Sequence, residues 1–415
     1  MALFIGYRRR KIQYVGDKPT TGQKLQFLEV DDSFRKFDSR TLMNQYEIRR
    51  GEIQLKELKD FKNLRVAFVG VYKIACGIST YSEWLWEPMG KMVKEFRIFA
   101  EHTDRPTQTE PHVTRCWNRG KPFHELVAEI KAYDPDIIYI QHEWGIFPVG
   151  THYLSLMTAL YDYRIITTMH SVYHHLDKLV CEAAMPEIIV HSNAAYKILK
   201  EVKKVSAKVH VIPHGCFGNN SSARLWNRYQ SNHLLIQLGF GFKYKGWENS
   251  LRIVNELRKD FPDIYFTGIF SETDGSKEFH EQYFDELMEM VNDLGIQDHV
   301  CLIRGFQSDE SLDAFLRTNH IAIFPYIPNG DHTVYGCSGS ARLAMCKGLA
   351  VVVSDVPLFD DLQGVCPRVS NVEEACSAIK NLFVTKNMKA QLKTQNEFLL
   401  QNSWEISARR YLEIL

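Results

Sequence analysis

The chain has 415 residues, more than one hydrophobic core usually organises, so two domains are expected. Hydrophobic residues make up 45% and charged residues 24%, and 50 basic side chains balance 50 acidic ones. These are ordinary globular values, and they exclude a chain whose net charge alone would indicate a nucleic-acid or membrane partner.

The cysteines and the apolar segments bear on compartment and metal binding. The nine cysteines occur without a CxxC pair, and no His or Cys cluster has the spacing of a zinc site. The short apolar start MALFIGY is followed by basic residues, the reverse of a secretory signal, and no apolar run approaches the roughly 18 residues that span a bilayer. The sequence therefore predicts free thiols, a cytoplasmic location, no metal and at most peripheral membrane contact.

Residues 1–62 are predicted to be an N-terminal appendage, because short apolar and charged stretches alternate there and GDKPTTGQK is a turn signal. From residue 63 the pattern changes to short β-branched runs separated by helical patterns. The region 63–218 contains a predicted helix at Thr80–Lys94 and the runs LRVAFVGV, IIYI, IITTM, EIIVHS and VHVIP. Such alternation predicts a parallel sheet covered by helices on both faces.

A Gly-, Asn- and Ser-rich loop at Gly215–Ala223 separates this lobe from a second one, predicted to span 219–395. The strand LLIQL opens the second lobe, and a final helix in 396–415 can cross back to the first. Helices are predicted at Trp247–Lys259, Glu278–Leu294, Asp309–Thr318 and Ser338–Lys347. The predicted fold is α/β, with two Rossmann-like lobes facing a central cleft, and ligands in such sheets bind outside the carboxyl ends of the strands.

Each lobe carries a Gly-rich turn between an apolar run and a helical pattern. The first is Ile74–Ser79, and the second is GFGFKYKG at Gly239–Gly246, which includes Lys243 and Lys245. Backbone N–H groups of such turns and the following helix N-terminus can approach an anion closely. The second turn is therefore a candidate diphosphate cradle, and the pattern predicts an activated, phosphate-bearing substrate.

Several segments carry a resemblance in their order and spacing: CGISTYSEWL, IIYIQHEWGIFP, TTMHS, EIIVHSNAA, VIPHG, LGFGFKYKG, FPYIP and SGSARLAMCKGLAVVVSDVP. Together they resemble the family 4 glycosyltransferases of the GT-B fold, whose two Rossmann-like lobes hold a nucleotide sugar across a cleft. The resemblance extends from about Leu64 to the C-terminus. It implies a nucleotide-diphosphate sugar as co-substrate, no cofactor, no essential metal and retention of anomeric configuration.

On the donor side, the resemblance assigns Gly77 and Gly239 to close approach by the diphosphate, although a simple strand-to-helix turn also explains Gly77. It assigns Lys245 to the donor phosphates, where a fixed cation stabilises the charge that builds on the leaving group. The arginine that family members often carry in this loop is missing. Lys243 either replaces it or is a solvated loop lysine.

The largest departure from the family concerns the Glu-x7-Glu pair that holds the donor ribose and sugar. Those positions fall at Tyr335 and Leu343, and neither side chain can accept a hydrogen bond as a carboxylate would. A Ser-Gly step followed by a small-residue helix resembles a subset of the family and shifts donor recognition to hydroxyl and backbone N–H groups. The remaining donor-binding candidates are Ser338, Gly339, Ser340 and Arg304, the last in the position of the base-recognition loop.

Polar residues that end two strands of the first lobe are the candidates for the reacting centre and the acceptor side. His170 ends TTMH where the family has a histidine that reaches the sugar, although a histidine at a strand end is by default structural. Gln141, His142 and Glu143 end another strand and are predicted to line the acceptor side. Glu143 can act as an acid or base or brace a helix, so the catalytic candidates are His170, Lys245 and Glu143.

The resemblance implies a retaining hexosyl or pentosyl transferase that acts on a hydroxyl acceptor, a saccharide or glycolipid. An alternative is glycosylation of hydroxymethylated bases in DNA, prompted by basic residues at 8–11 and by lysines between 197 and 208. A third hypothesis is a non-catalytic nucleotide-sugar binding module, prompted by the missing glutamates. A dinucleotide-dependent oxidoreductase is disfavoured, because neither lobe carries GxGxxG with an acidic partner.

Overall fold

The computed structural model describes residues 61–74, 76–103, 110–174, 185–218, 233–272 and 277–415. The predicted appendage, except for residues 61 and 62, lies outside these ranges, as do the basic residues at 8–11. No helix in these described ranges is both long and apolar enough to cross a bilayer.

The first lobe is built on a seven-stranded sheet in which all neighbouring strands are parallel, in the order β3-β2-β1-β4-β5-β7-β8. The strands of this half are β1 (Arg65–Gly70), β2 (Glu95–Glu101), β3 (Val113–Trp117), β4 (Ile137–His142), β5 (Arg164–Met169), β6 (Ser171–Tyr173), β7 (Glu187–Val190) and β8 (Lys208–Val211). Its helices are α1 (Gly77–Gly90), α2 (His124–Tyr133), α3 (Gly150–Ala159) and α4 (Asn193–Lys197), which continues as a π-helical turn at Ile198–Val202. Every residue of β4 is buried, as expected for a central strand covered on both faces.

The first predicted helix is shifted in the structure. The prediction was Thr80–Lys94, whereas α1 ends at Gly90 and β2 already begins at Glu95. Gly90 lies against the ring of Phe96, and residues 91–94 form the turn between the helix and the strand. The elements β2, β3, α2 and α3 were not predicted, and in β2 a charged residue at each end and one in the middle hide the strand pattern.

The second lobe repeats this architecture with a six-stranded parallel sheet in the order β11-β10-β9-β12-β14-β15. The strands are β9 (Leu234–Phe240), β10 (Tyr265–Ser271), β11 (Val300–Arg304), β12 (Ile321–Phe324), β13 (Val334–Gly336), β14 (Ala350–Ser354) and β15 (Arg368–Val369). The helices are α5 (Trp247–Leu257), α6 (Lys277–Asp293), α7 (Asp309–Thr318), α8 (Gly339–Cys346), α9 (Val372–Leu382), α10 (Thr385–Gln401) and α11 (Trp404–Glu413). Helix α7 has the predicted bounds, and Ser308 caps it by accepting a hydrogen bond from the backbone N–H of Ser311 at 3.2 Å.

A short antiparallel ladder joins the two lobes. Strand β6 of the first lobe pairs with β13 of the second, with Tyr335 opposite Val172 and Gly336 opposite Ser171. A Cβ atom added to Gly336 would lie 2.5 Å from the backbone oxygen of His170. The close approach of these two segments therefore requires glycine at this position.

The C-terminal segment returns to the first lobe. Residues 396–415 contain the end of α10 and all of α11, and Ser403 caps α11 by accepting from the N–H of Ile406 at 3.3 Å. Trp404 and Tyr411 are buried in the hydrophobic cluster that also contains Phe68 and Trp86. Burial of large aromatic side chains of this kind is worth several kcal/mol, about 3–5 for a Trp-to-Ala change, so α11 is an integral part of the first core.

Candidate functional site

Lys245 is held in a defined position by the turn that follows β9. Residues Lys243–Lys245 form a 3₁₀ turn, and Gly246 ends it in the left-handed region at φ 67°. A Cβ atom on Gly246 would collide with the backbone oxygen of Pro325, so only glycine fits there. The ammonium of Lys245 donates to the Tyr326 hydroxyl at 2.9 Å and lies 4.2 Å from the centroid of the same ring.

The N-terminus of α8 lies next to this lysine. The Ser338 hydroxyl caps α8 by accepting from the N–H of Ala341 at 3.3 Å, and it also hydrogen bonds to the Tyr326 hydroxyl. A chain of contacts thus runs from Lys245 through Tyr326 to Ser338. On the other side, a Cβ atom built on Gly239, whose φ is 149°, would lie 4.0 Å from the Ser340 hydroxyl.

Five predicted donor-binding residues therefore converge at the carboxyl ends of β9 and β12. They are Gly239, Lys245, Ser338, Gly339 and Ser340. Gly339 faces the first lobe, where a Cβ atom built on it would be 3.8 Å from Nε2 of His214. The arrangement offers a cation, free N–H groups of a helix N-terminus and hydroxyl groups, the combination that binds a phosphate next to a sugar.

His170 belongs to the first lobe and lies directly before the ladder between the lobes. Nε2 of His170 is 2.9 Å from Oε1 of Gln141. The rings of His170 and Tyr81 meet edge to face, with their centroids 4.7 Å apart. Burial, together with the neighbouring His191 and His142 rings, lowers the pKa of His170 well below its ordinary value. The imidazole is therefore neutral near pH 7 and is suited to hydrogen bonding rather than to pairing with a charge.

Glu143 follows β4 and lies half-buried at the boundary between the lobes. Burial raises the pKa of its carboxyl to about 7, although hydrogen bonds from Ser171 and from the N–H groups of Trp144 and Gly145 partly oppose the shift. Its carboxyl interacts electrostatically with Tyr244, which belongs to the second lobe. A carboxyl that titrates near neutral pH can both accept and return a proton under physiological conditions.

The structure places the two residues before Glu143 behind the surface of the cleft. Gln141 and His142, predicted on the acceptor side, are both fully buried. The His142 ring stacks on Phe147 with a centroid separation of 5.5 Å, and burial lowers the pKa of His142 to about 3. Of the three predicted acceptor-side residues, only Glu143 reaches the boundary between the lobes.

Three further candidates do not join the group around Lys245. Lys243 donates to Glu286 of α6 at 2.8 Å, and Arg304 pairs with Glu272 and with Glu281 of α6. Gly77 opens α1 and is exposed, with no atom within 4 Å of a Cβ built on it. Lys243 and Arg304 are thus occupied by carboxylates at α6, while Gly77 leaves open space at the start of α1.

A cluster of buried polar residues lies around Tyr81 and α8, and none of its members was among the predicted site residues, although the resemblance placed His214 at a strand end. The rings of His191 and His214 lie 5.2 and 4.8 Å from Tyr81, and burial lowers the pKa of both histidines. Arg342, one turn into α8, is 2% exposed and is bound to Asp361 and to the backbone oxygen of Ser338. Both histidines follow strands as His170 does, a signal that could have identified them, whereas nothing in the local sequence marks Arg342 as buried.

The positions of the missing glutamates have structural roles. Tyr335 lies in β13 and packs against the core of the first lobe, and Leu343 of α8 packs in the second. Among the described ranges, no group of three or more His, Cys, Asp or Glu residues is arranged to hold a metal ion.

Comparison with known proteins identifies the fold. The family model described as Glycosyltransferase Family 4 matches residues 91–216, and no curated protein matches the chain. The chain is similar to HepE of Anabaena in complex with UDP (14% identity, TM-score 0.63, covering 85% of this chain and 99% of that one). It is also similar to the N-terminal domain of the trehalose-6-phosphate phosphatase of Candida albicans (11%, TM-score 0.66, 86% and 98%).

A third similar structure is a UDP-forming trehalose-phosphate synthase from Burkholderia xenovorans in complex with glucose-6-phosphate. It is 10% identical, with a TM-score of 0.64, and the match covers 84% of this chain and 99% of that one. These matches span both lobes. The chain therefore has the two-lobed, Rossmann-like GT-B fold that the sequence predicted.

Proposed function

We propose that this chain is a retaining glycosyltransferase that moves a hexosyl or pentosyl group from a nucleoside diphosphate sugar to a hydroxyl group of a saccharide or glycolipid. The observation that carries the proposal is the convergence of Lys245, Tyr326 and the N-terminus of α8 at the carboxyl ends of β9 and β12. This group lies beside His214 of the other lobe, which contacts the Tyr81 ring as His170 does. Because one fold hosts many activities, the proposal depends on this group rather than on the fold.

The proposed roles follow from the contacts. Departure of the nucleoside diphosphate builds negative charge, and Lys245 with the N–H groups at the start of α8 stabilises that charge. Ser338 and Ser340 supply hydroxyl contacts in place of the missing carboxylates, and neutral His170 hydrogen bonds to the sugar. The bond between the anomeric carbon and the phosphate oxygen breaks, and its electron pair leaves with the nucleoside diphosphate. The acceptor oxygen bonds to that carbon, and its proton passes to the Glu143 carboxylate.

The similar structures support a nucleotide sugar and a saccharide. HepE has been crystallised with UDP and glucose, and the trehalose-6-phosphate protein of E. coli with UDP-2-fluoro glucose. We place the reaction in the cytoplasm, because the eight described cysteines are free thiols, as a reducing compartment requires. Gly77, Lys243 and Arg304 remain proposed donor contacts. Lys243 and Arg304 would have to leave their carboxylate partners when the donor binds, and Gly77 would gain a contact.

No observation favours DNA as the acceptor. Within the lysine group proposed for DNA, Lys203 is 6% exposed, and Lys200 donates to the backbone oxygens of Val205 and Ala207 at 3.1 Å. These two lysines serve the first lobe, whereas Lys197, Lys204 and Lys208 are exposed and Lys208 pairs with Glu187. The basic residues at 8–11 lie outside the described ranges.

The test is a donor and acceptor screen with the full chain. UDP-, GDP- and ADP-sugars are each incubated with saccharides, glycolipid head groups and hydroxymethylated DNA, and released nucleoside diphosphate and product mass are measured. Transfer to a saccharide or glycolipid supports the proposal, and its anomeric configuration in the product, read by NMR, decides retention. Calorimetric binding of a nucleotide sugar without turnover under any condition would identify a binding module instead.

A further inference from the structure

A chain of buried hydrogen bonds leads from His170 to the C-terminal helix. Oε1 of Gln141 is 2.9 Å from Nε2 of His170, and Nε2 of Gln141 is 3.5 Å from the Thr168 hydroxyl. The Thr168 hydroxyl is 3.0 Å from that of Tyr411, which is 2.8 Å from the Tyr81 hydroxyl. Behind His170 every member of this chain is at most 2% exposed, so water does not compete for these bonds.

The direction of the Gln141 amide indicates the tautomer of His170. The Gln141 amide nitrogen is directed to Thr168, so its amide oxygen faces the imidazole. An amide oxygen only accepts hydrogen bonds, and therefore Nε2 of His170 carries the proton. Nδ1 is then the acceptor, and no hydrogen bond to it comes from the described ranges of the chain.

The groups that face His170 leave this state undisturbed. They are Tyr81 of α1, His191 after β7, His142 at the end of β4 and His214 after β8, with ring contacts at 4.7 Å for Tyr81 and 5.3 Å for His191. None of the four is a carboxylate, and burial keeps the three neighbouring histidines neutral by lowering the pKa of each. The tautomer of His170 is therefore governed by the hydrogen bond to Gln141.

We propose that Gln141, Thr168 and Tyr411 are positioning residues, which hold His170 in the Nε2-protonated tautomer and direct the Nδ1 lone pair to a hydroxyl of the bound substrate. This inference rests on the proposed function for the identity of the substrate, but the tautomer itself does not depend on it. Helix α11, near the end of the chain, thereby takes part in the preparation of a residue of the cleft.

The first measurement is made without substrate. In the full chain labelled with ¹⁵N-histidine, long-range ¹H–¹⁵N spectra are expected to show His170 as the Nε2–H tautomer, with its signal assigned from His170→Ala. Gln141→Glu keeps the acceptor and adds a negative charge, so the pKa of His170 should rise by about 1–3 units. An Nδ1–H tautomer in the wild-type chain would overturn the proposal, as would a His170 pKa that does not respond to Gln141→Glu.

The second measurement uses two matched tyrosine variants. Tyr411→Phe removes a hydroxyl inside the hydrogen-bond chain, whereas Tyr139→Phe removes one that donates to the backbone oxygen of Tyr411 at 2.5 Å but lies outside it. Tyr411→Phe is expected to mix the His170 tautomers and to lower kcat roughly tenfold, with the donor KM within about twofold. Tyr139→Phe should leave the His170 tautomer and kcat unchanged when the two variants are compared at equal folded content.

The outcomes separate this inference from the proposed function. Equal effects of the two tyrosine variants on the His170 spectrum and on kcat would reduce α11 to a structural role and refute the positioning role. A different result would contradict only the glycosyltransferase assignment: the protein shows no transferase activity, yet His170 is the Nε2–H tautomer and loses that tautomer in Tyr411→Phe. The positioning role of the hydrogen bonds would then still hold.

Discussion

Replacement of Lys245 by alanine tests the charge on which the proposed reaction depends. The ammonium is fixed by the 2.9 Å bond to Tyr326 and by the ring 4.2 Å away, so it need not reorganise when the leaving group becomes charged. At an effective dielectric constant of about 20, a unit charge roughly 4 Å from a phosphate oxygen contributes about 4 kcal/mol. Because the side chain is only half-buried, we expect about 3–4 kcal/mol, a 100- to 1,000-fold loss of kcat.

The assay is release of nucleoside diphosphate at saturating donor, with thermal unfolding as the measure of folded content. Tyr326→Phe keeps the ring beneath the ammonium and removes only the hydroxyl with its bonds to Lys245 and Ser338, so its loss should be much smaller. Lys243→Ala provides a comparison two residues away, because that ammonium is bound to Glu286 instead. Turnover of Lys245→Ala within threefold of wild type would refute the assigned role of Lys245.

Three further predictions concern stability and pH. Gly246→Ala should lower the free energy of unfolding by at least about 2 kcal/mol in urea titrations, because φ is 67° and the new methyl group collides with Pro325; an unchanged midpoint would contradict the turn geometry. Burial raises the pKa of Glu143 from about 4.5 to about 7, so the cost in stability is absent below about pH 4.5, grows as the pH rises and is complete above pH 7. Glu143→Gln should therefore stabilise the chain by up to about 3 kcal/mol at pH 8 and by nothing at pH 4. Equal shifts at both pH values would exclude the raised pKa. Burial opposes ionisation of Glu187, but hydrogen bonds from His210, Arg164 and Lys208 outweigh it and lower its pKa to about 2; Glu187→Gln should therefore be destabilising at pH 7 and progressively less so from about pH 4.5 to 2, as pH-dependent melting would show.

Local patterns were sufficient for much of the fold. Short β-branched runs such as those of β4 and β14 are buried on both faces, and this leaves an unmistakable apolar signature. Strand β2 lacks that signature, because Glu95, Arg97 and Glu101 lie where the sheet is only half-covered. Pairing of β6 with β13 was not predictable, since each has three residues and the partners are far apart in sequence.

The candidate site shows the same limit at the level of single residues. The family resemblance assigned Lys245 to the phosphates and His170 to the sugar, but it left open whether Lys243 replaces the missing arginine or is solvated. A turn with a left-handed glycine decides which ammonium meets Tyr326. Position at a strand end placed Gln141 in the cleft, whereas the ladder to β5 keeps it inside the sheet. Which way a residue faces at a strand end depends on neighbouring strands, and these are absent from the local sequence.

The return of α11 to the first lobe has a consequence for biosynthesis. Trp404, Tyr411 and Leu412 complete a core whose other members, such as Phe68 and Trp86, leave the ribosome much earlier. At about 5–20 residues per second, the intervening second lobe takes on the order of ten seconds or more to be translated. During that interval the nascent first lobe exposes the groove that α11 will fill, so chaperone protection or early folding of the second lobe would matter most in that period.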